Sequence, residues 1–228
     1  MRRFTQLLWG TVAIPLILAA QQPANPIASD SPSQVGYASN LNLADSIINI
    51  TNTGSLGASL YGPGFGAPTG NICVNVYGLD PGEELISCCS CLVTPDGLAS
   101  LSVNKDILSN TLTAFEPTSV VIKLIATPAG GTGTGTSCSQ SAAFPPVQPN
   151  PNTPTLEPSL AAWRTTVHTT AFGAPAVTET PFTPATLSSG EISSLTNRCK
   201  FIIGNGSGSG ICNSCRTGAF GALKLNLK

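Results

Sequence analysis

Short apolar runs bounded by polar turn residues recur along this chain. Residues 45–52 (Asp-Ser-Ile-Ile-Asn-Ile-Thr-Asn), 71–77 (Asn-Ile-Cys-Val-Asn-Val-Tyr), 84–93 and 119–126 are rich in β-branched residues. Turn formers bound them: Gly54, Asp80-Pro81-Gly82, Pro95-Asp96-Gly97 and Pro128. Short β-branched runs between such turns predict strands. Residues 162–169 alternate most cleanly, with Trp163, Thr165, Val167 and Thr169 on one face and Arg164, Thr166 and His168 on the other. Residues 223–228 (Leu-Lys-Leu-Asn-Leu-Lys) alternate as strictly and predict a final strand. Asp96 before Gly97 fits a type I turn.

One segment has a different period. Ile192, Leu195, Cys199 and Ile202 recur at helical spacing, and Ser188-Ser-Gly-Glu191 ahead of them has the form of a capping box. In that motif the Ser side chain accepts from a free amide and the Glu reaches back to another. Gly204-Asn205-Gly206 supplies the stop. The pattern predicts one helix over 189–203, packed across a sheet through its apolar stripe. The fold class expected is therefore mostly β: sandwich-like antiparallel sheets, one packed α-helix and disulfide cross-links. Residues 21–35, dominated by Pro, Ser, Asn and Gln, read as a flexible leader to a single domain spanning 36–228. A Pro/Gly-rich stretch at 128–158 is too dense in breakers for a regular element. Cys138 in its middle points to a surface loop tied down by a disulfide rather than a free linker.

Composition narrows the setting. Only 9% of residues are charged and there is one His, so neither the basic stripe of a nucleic-acid binder nor the charged faces of a coiled coil is present. At the start, Arg2 and Arg3 precede an apolar run at 7–20 that ends in Ala19-Ala20, the order of a secretory signal peptide over residues 1–20. That run is too short, and too interrupted by Pro15, for a bilayer span of about 20 residues. Its removal leaves eight basic and eleven acidic residues, a formal charge of −3. A mildly acidic mature chain with no transmembrane segment is expected in the periplasm or outside the cell.

Eight cysteines are many for a reducing compartment: Cys73, Cys88, Cys89, Cys91, Cys138, Cys199, Cys212 and Cys215. For an exported chain they imply four disulfides among 105 possible pairings. Adjacent Cys88 and Cys89 point to opposite faces of a strand and so bridge to different partners. One bond between the 88–91 and 199–215 clusters would close a loop of about 100 residues, worth about 4–5 kcal/mol by chain entropy. A sharper alternative uses the two Cys-x-x-Cys pairs, Cys88 with Cys91 and Cys212 with Cys215, as four thiolates around zinc. Against it stand a separation of about 120 residues and oxidation outside the cytoplasm. A thioredoxin-type redox site would want its Cys-x-x-Cys at a helix start, whereas Cys212 follows a Gly-rich loop.

Other groups carry less. His168 needs a nucleophile and an orienting carboxylate before it could work as a base, and the letters Gly-x-Ser-x-Gly at 206–210 do not sit between a strand and a helix. Asp80, Glu83 and Glu84 crowd a Pro-Gly turn but lack the spacing of a calcium loop. Tyr61-Gly-Pro-Gly-Phe-Gly66 could present aromatics for sugar or peptide contact. Asn49-Ile-Thr51 and Asn205-Gly-Ser207 are glycan acceptor patterns. No catalytic residue and no cofactor is assigned.

Two stretches together resemble an uncharacterised family of exported bacterial proteins with a Cys-Cys-x-Cys motif. The first runs from Asn71-Ile-Cys-Val-Asn-Val-Tyr-Gly-Leu-Asp80 into Cys88-Cys89-Ser90-Cys91 and Thr94-Pro95-Asp96-Gly97-Leu98. The second runs from Thr178-Glu-Thr-Pro-Phe182 through Cys199 to Asn205-Gly206-Ser207-Gly208 and Cys212. The resemblance implies an envelope or extracellular setting and carries over no catalytic residue. The expectation is a non-catalytic structural or binding module, with a protein or glycan partner at the cell surface. The alternative is a zinc or thiol-redox protein.

Overall fold

The computed structural model describes residues 31–61, 66–146, 155–169, 173–208 and 210–215. The expected signal peptide at 1–20 and final strand at 223–228 lie outside them. In chain order the strands are β1 (Ser33–Ala38), β2 (Ile47–Asn52), β3 (Ile72–Leu79), β4 (Leu85–Val93), β5 (Leu98–Ser102), β6 (Val120–Pro128), β7 (Leu160–Thr169), β8 (Pro175–Pro181), β9 (Thr183–Pro184) and β10 (Gly210–Ile211). One helix, α1 (Ser189–Gly204), a single π-helical turn (Val103–Leu108) and two 3-10 turns (Ala129–Gly131 and Asn213–Cys215) complete the described elements.

The strands form two sheets. One has the order β5-β2-β7-β8 and is antiparallel throughout; the other has the order β10-β4-β3-β6-β1-β9, antiparallel except where β10 joins β4 in parallel. Their facing sides make the main core. Ile48, Ile50, Leu101, Leu160 and Ala162 of the first sheet meet Val74, Val76, Ile122, Leu124 and Val93 of the second, all at most 1% exposed. This is the sandwich that many short strands between Gly/Pro turns predict. On the far side of the six-stranded sheet, Tyr77, Leu85, Cys88 and Ile125 form a second cluster with Leu195, Cys199 and Ile202 of α1. The molecule thus has three layers: sheet, sheet, helix.

All four predicted stripe residues of α1 are buried. Ser188 accepts the Glu191 amide, as a cap should, and Gly206 at φ +80° closes the C-terminal end, with the Ser207 amide donating to the Ile202 carbonyl. The capping box is only half formed. The Glu191 carboxylate pairs with Lys123 on β6 instead of returning to the cap, which fastens the helix start to the sheet.

Several elements differ from the sequence expectation. Residues 33–35, read as the end of a leader, open β1, which is paired on both sides by β6 and β9. Its polar Gln34 is buried because its side-chain amide donates to the Leu160 carbonyl of the opposite sheet, 2.6 Å away. Strands β5, β8, β9 and β10 were not expected either. In β7 the even-numbered set, with Leu160, Ala162 and Thr166 buried, faces the core, while Trp163 and Val167 lie on the solvent side. The turn at 94–97 has Asp96 at φ +60° with the Gly97 amide donating to the Thr94 carbonyl, which is type II chemistry rather than type I.

Both sides of the sandwich are closed. On one, the chain steps from β8 to β9 through Phe182, whose ring lies so tightly over Gly36 that no Cβ fits there. On the other, Asn213–Cys215 lies against β5.

Candidate functional site

The chemistry-bearing residues converge on β4. A bulge sets its phase: Leu79 pairs with Leu85 and Gly78 with Ser87, leaving Ile86 as the extra residue. Leu85 and Cys88 then face α1, whereas Ile86, Cys89, Cys91 and Val93 face the other sheet. Without the extra residue, Cys88 would share the face of Ile86, and the three cysteines would exchange sides.

Three of the four disulfides follow from that phase. Cys88 bonds Cys199 on the helix side, with Cα atoms 5.8 Å apart, and Cys89 and Cys91 bond Cys212 and Cys215 inside the sandwich, at 4.9 and 5.3 Å. Cys73 bonds Cys138 at 5.5 Å and ties down the Pro/Gly-rich loop, as its sequence position suggested. Adjacent Cys88 and Cys89 do bridge to different partners. The four cysteines of the zinc alternative are placed differently from a four-thiolate site: Cys88 and Cys91 lie on opposite faces of one strand, and Cys88, Cys91, Cys212 and Cys215 each sit in a disulfide. Among the described residues no group of three or more His, Cys, Asp or Glu is placed to hold a metal ion.

Hydrogen bonds dock each stapled segment. Asp106 is 4% exposed, and its carboxylate accepts from the Ser102 and Ser214 amides at 2.8 and 2.7 Å and from the Ser214 hydroxyl at 2.6 Å. The Cys212–Cys215 turn is thereby held by a carboxylate as well as by sulfur. The Ser102 hydroxyl accepts the Lys105 amide, so Ser102 and Asp106 form a capping pair spaced four apart, one residue wider than the α-helical box. The wider ring of a π turn accounts for that spacing. This pair escaped the sequence reading, which searches for the narrower form.

On the helix face, Asn75 and Ser90 sit opposite each other on β3 and β4, and the Ser90 hydroxyl donates to the Asn75 side-chain oxygen Oδ1 at 2.9 Å. Ser90 also accepts the Ala142 amide, and the Tyr77 hydroxyl donates to the Ala142 carbonyl, both at 2.8 Å. These bonds seat the loop that Cys138 anchors. Burial holds the Tyr77 hydroxyl well above the ordinary tyrosine pKa of about 10, because the phenolate would lose its water. Partial burial lowers the Arg164 guanidinium from its usual value.

The remaining candidates are dispersed. His168 is exposed near the end of β7, and its Nε2 meets the Thr178 hydroxyl at 2.8 Å. Asp80 accepts the Gly82 and Glu84 amides and so shapes its own turn. Asn49 lies on the solvent face between Ser100 and Glu179, and Asn205 caps α1. Tyr61 is 75% exposed, while 62–65 of its loop lie outside the described residues. Among the described residues no helix is long and apolar enough to cross a membrane. No family model, curated protein or solved structure matches the chain at a significant level.

Proposed function

We propose that this chain is an exported, non-catalytic module of the cell envelope or extracellular space, built to structural or binding duty by its cross-links. The observation that carries the reading is that all eight cysteines are committed to four disulfides, three of them anchored on one central strand. Disulfides of this number persist where the surroundings are oxidising, which supports export and the reading of residues 1–20 as its signal. Cross-links on both faces of one strand limit local opening, and proteases cut through such openings. Few charges and a surface rich in Ser, Thr and Asn suit contact with a neutral partner, protein or glycan.

The test is intact mass of the chain recovered from its native setting, before and after reduction. Four disulfides make the unreduced chain about 8 Da lighter. The same preparation should withstand a nonspecific protease that degrades it after reduction. Alkylatable thiols with stoichiometric zinc would overturn the proposal.

A further inference from the structure

The connectivity has an order to it. Numbered along the chain, the first cysteine bonds the fifth, the second the sixth, the third the seventh and the fourth the eighth. No native bond joins cysteines that are neighbours in sequence. Cys73, Cys88, Cys89 and Cys91 all wait for partners 65 to 124 residues further on. We infer that this protein is a substrate of a dithiol disulfide isomerase: oxidation alone traps the first four cysteines with one another, and exchange must then deliver them to the last four.

Loop closure gives the bias. A loop of about 15 residues between Cys73 and Cys88 closes about twentyfold more readily than one of 124, because closure probability falls as roughly the three-halves power of length. Folded β3 and β4 would keep these thiols apart, since Cys73 sits opposite Leu92 and Cys88 opposite Tyr77, four residue pairs along the strands. Yet β3 and β4 alone make only a two-stranded hairpin, which is marginal in water. Their flanking layers, α1 and the Asn213–Cys215 turn, are the last described parts of the chain to emerge. Once the layers close, Cys88, Cys89, Cys91, Cys199 and Cys212 are at most 1% exposed, so repair belongs to the open chain.

The chemistry balances without further oxidant. Each disulfide first forms when a thiol pair gives two electrons and two protons to a disulfide-donating oxidant. Suppose Cys73–Cys88 and Cys138–Cys199 form wrongly. An isomerase thiolate attacks the first bond, captures Cys73 as a mixed disulfide and frees the Cys88 thiolate. That thiolate attacks Cys199, forms the native Cys88–Cys199 bond and expels the Cys138 thiolate. Cys138 then attacks the mixed disulfide at Cys73, forms Cys73–Cys138 and returns the isomerase thiolate. Two wrong bonds become two right ones with no net electron transfer.

The full chain, reduced and unfolded, is returned to native buffer with diamide alone or with diamide followed by catalytic protein disulfide isomerase and reduced glutathione. Linkages are read by peptide mapping. Diamide alone is expected to give under one tenth native pairing, and the isomerase to convert the same molecules to the native set with no change in intact mass. Native pairing as the main product of diamide alone would overturn the inference. Bonds trapped by alkylation in the first moments of oxidation provide a second readout. They are expected to lie within 73–91; first bonds joining 88–91 to 199–215 would overturn it even if neither arm reached the native state. Because these arms start from reduced chain, they are independent of whether the mature protein in its native setting is a non-catalytic module.

Discussion

Asp106 is held by three donors: two backbone amides and the Ser214 hydroxyl point at its two oxygens. Removing the carboxylate leaves the Ser102 and Ser214 amides facing a space without an acceptor, and unpaired buried donors cost more than the bond itself contributed. Asp106→Ala should lower stability by about 2–4 kcal/mol, read as a drop in urea midpoint at unchanged slope. Asp106→Asn, which keeps one acceptor oxygen, should cost less. Tyr77 makes the complementary prediction in alkali. Its folded pKa is raised, so between the unfolded value of about 10 and the folded one the native state holds a proton that the unfolded chain releases. Stability therefore falls as pH rises above about 10. Tyr77→Phe loses about 1 kcal/mol at neutral pH with its bond to Ala142. Unfolding curves from pH 9 to 11 should show the gap between variant and parent narrowing, and a constant gap would refute the linkage.

At the scale of the element, α1 and β4 are held for different reasons. The helix was legible in the sequence because its burial follows its own period: Ile192, Leu195, Cys199 and Ile202 make one stripe, and that stripe is what the sheet covers. Its cap is local and its packing is not, so their costs separate. Ser188→Ala should cost about 1 kcal/mol, and Leu195→Ala, which opens a cavity under a helix that Cys199 keeps in place, about 2–4 kcal/mol. Thermal melts of the two variants rank them. The edge and short strands were harder to read. β8 is exposed along most of its length and is a strand because β7 pairs with it, while β1 opens with buried Ser33 and Gln34 that resemble loop residues until their partners are known. In β4 the bulge at Ile86 decides which cysteine faces which layer, and a bulge leaves no mark in an alternating run.

For the whole molecule, three long staples share one strand, so their contributions are not independent. With Cys91–Cys215 and Cys88–Cys199 in place, Cys89–Cys212 closes only a few further residues, and its removal by paired Cys→Ala substitution should cost about 2 kcal/mol. The same holds for Cys91–Cys215. Removing both should cost about 5 kcal/mol, more than the two singles together, because with only Cys88–Cys199 left the second bond lost is one that closes the loop of about 15 residues after Cys199 rather than a few residues between neighbouring staples. Chemical unfolding of the two singles and the double measures the excess, and strict additivity would show that the loops are independent. The sequence alone determined what depends on neighbours in the chain. The short β-branched runs at 45–52, 71–77, 84–93 and 119–126, the alternation at 162–169, the helical stripe at 192–202, and the separate destinations of Cys88 and Cys89 were all legible there, since side-chain direction follows backbone geometry within a few residues. Tertiary structure alone decided which of 105 pairings forms, that β1 is a central strand, and that Asp106 docks the Asn213–Cys215 turn. Each of those depends on which distant faces meet, and an isolated run of residues does not specify its partner across a sheet.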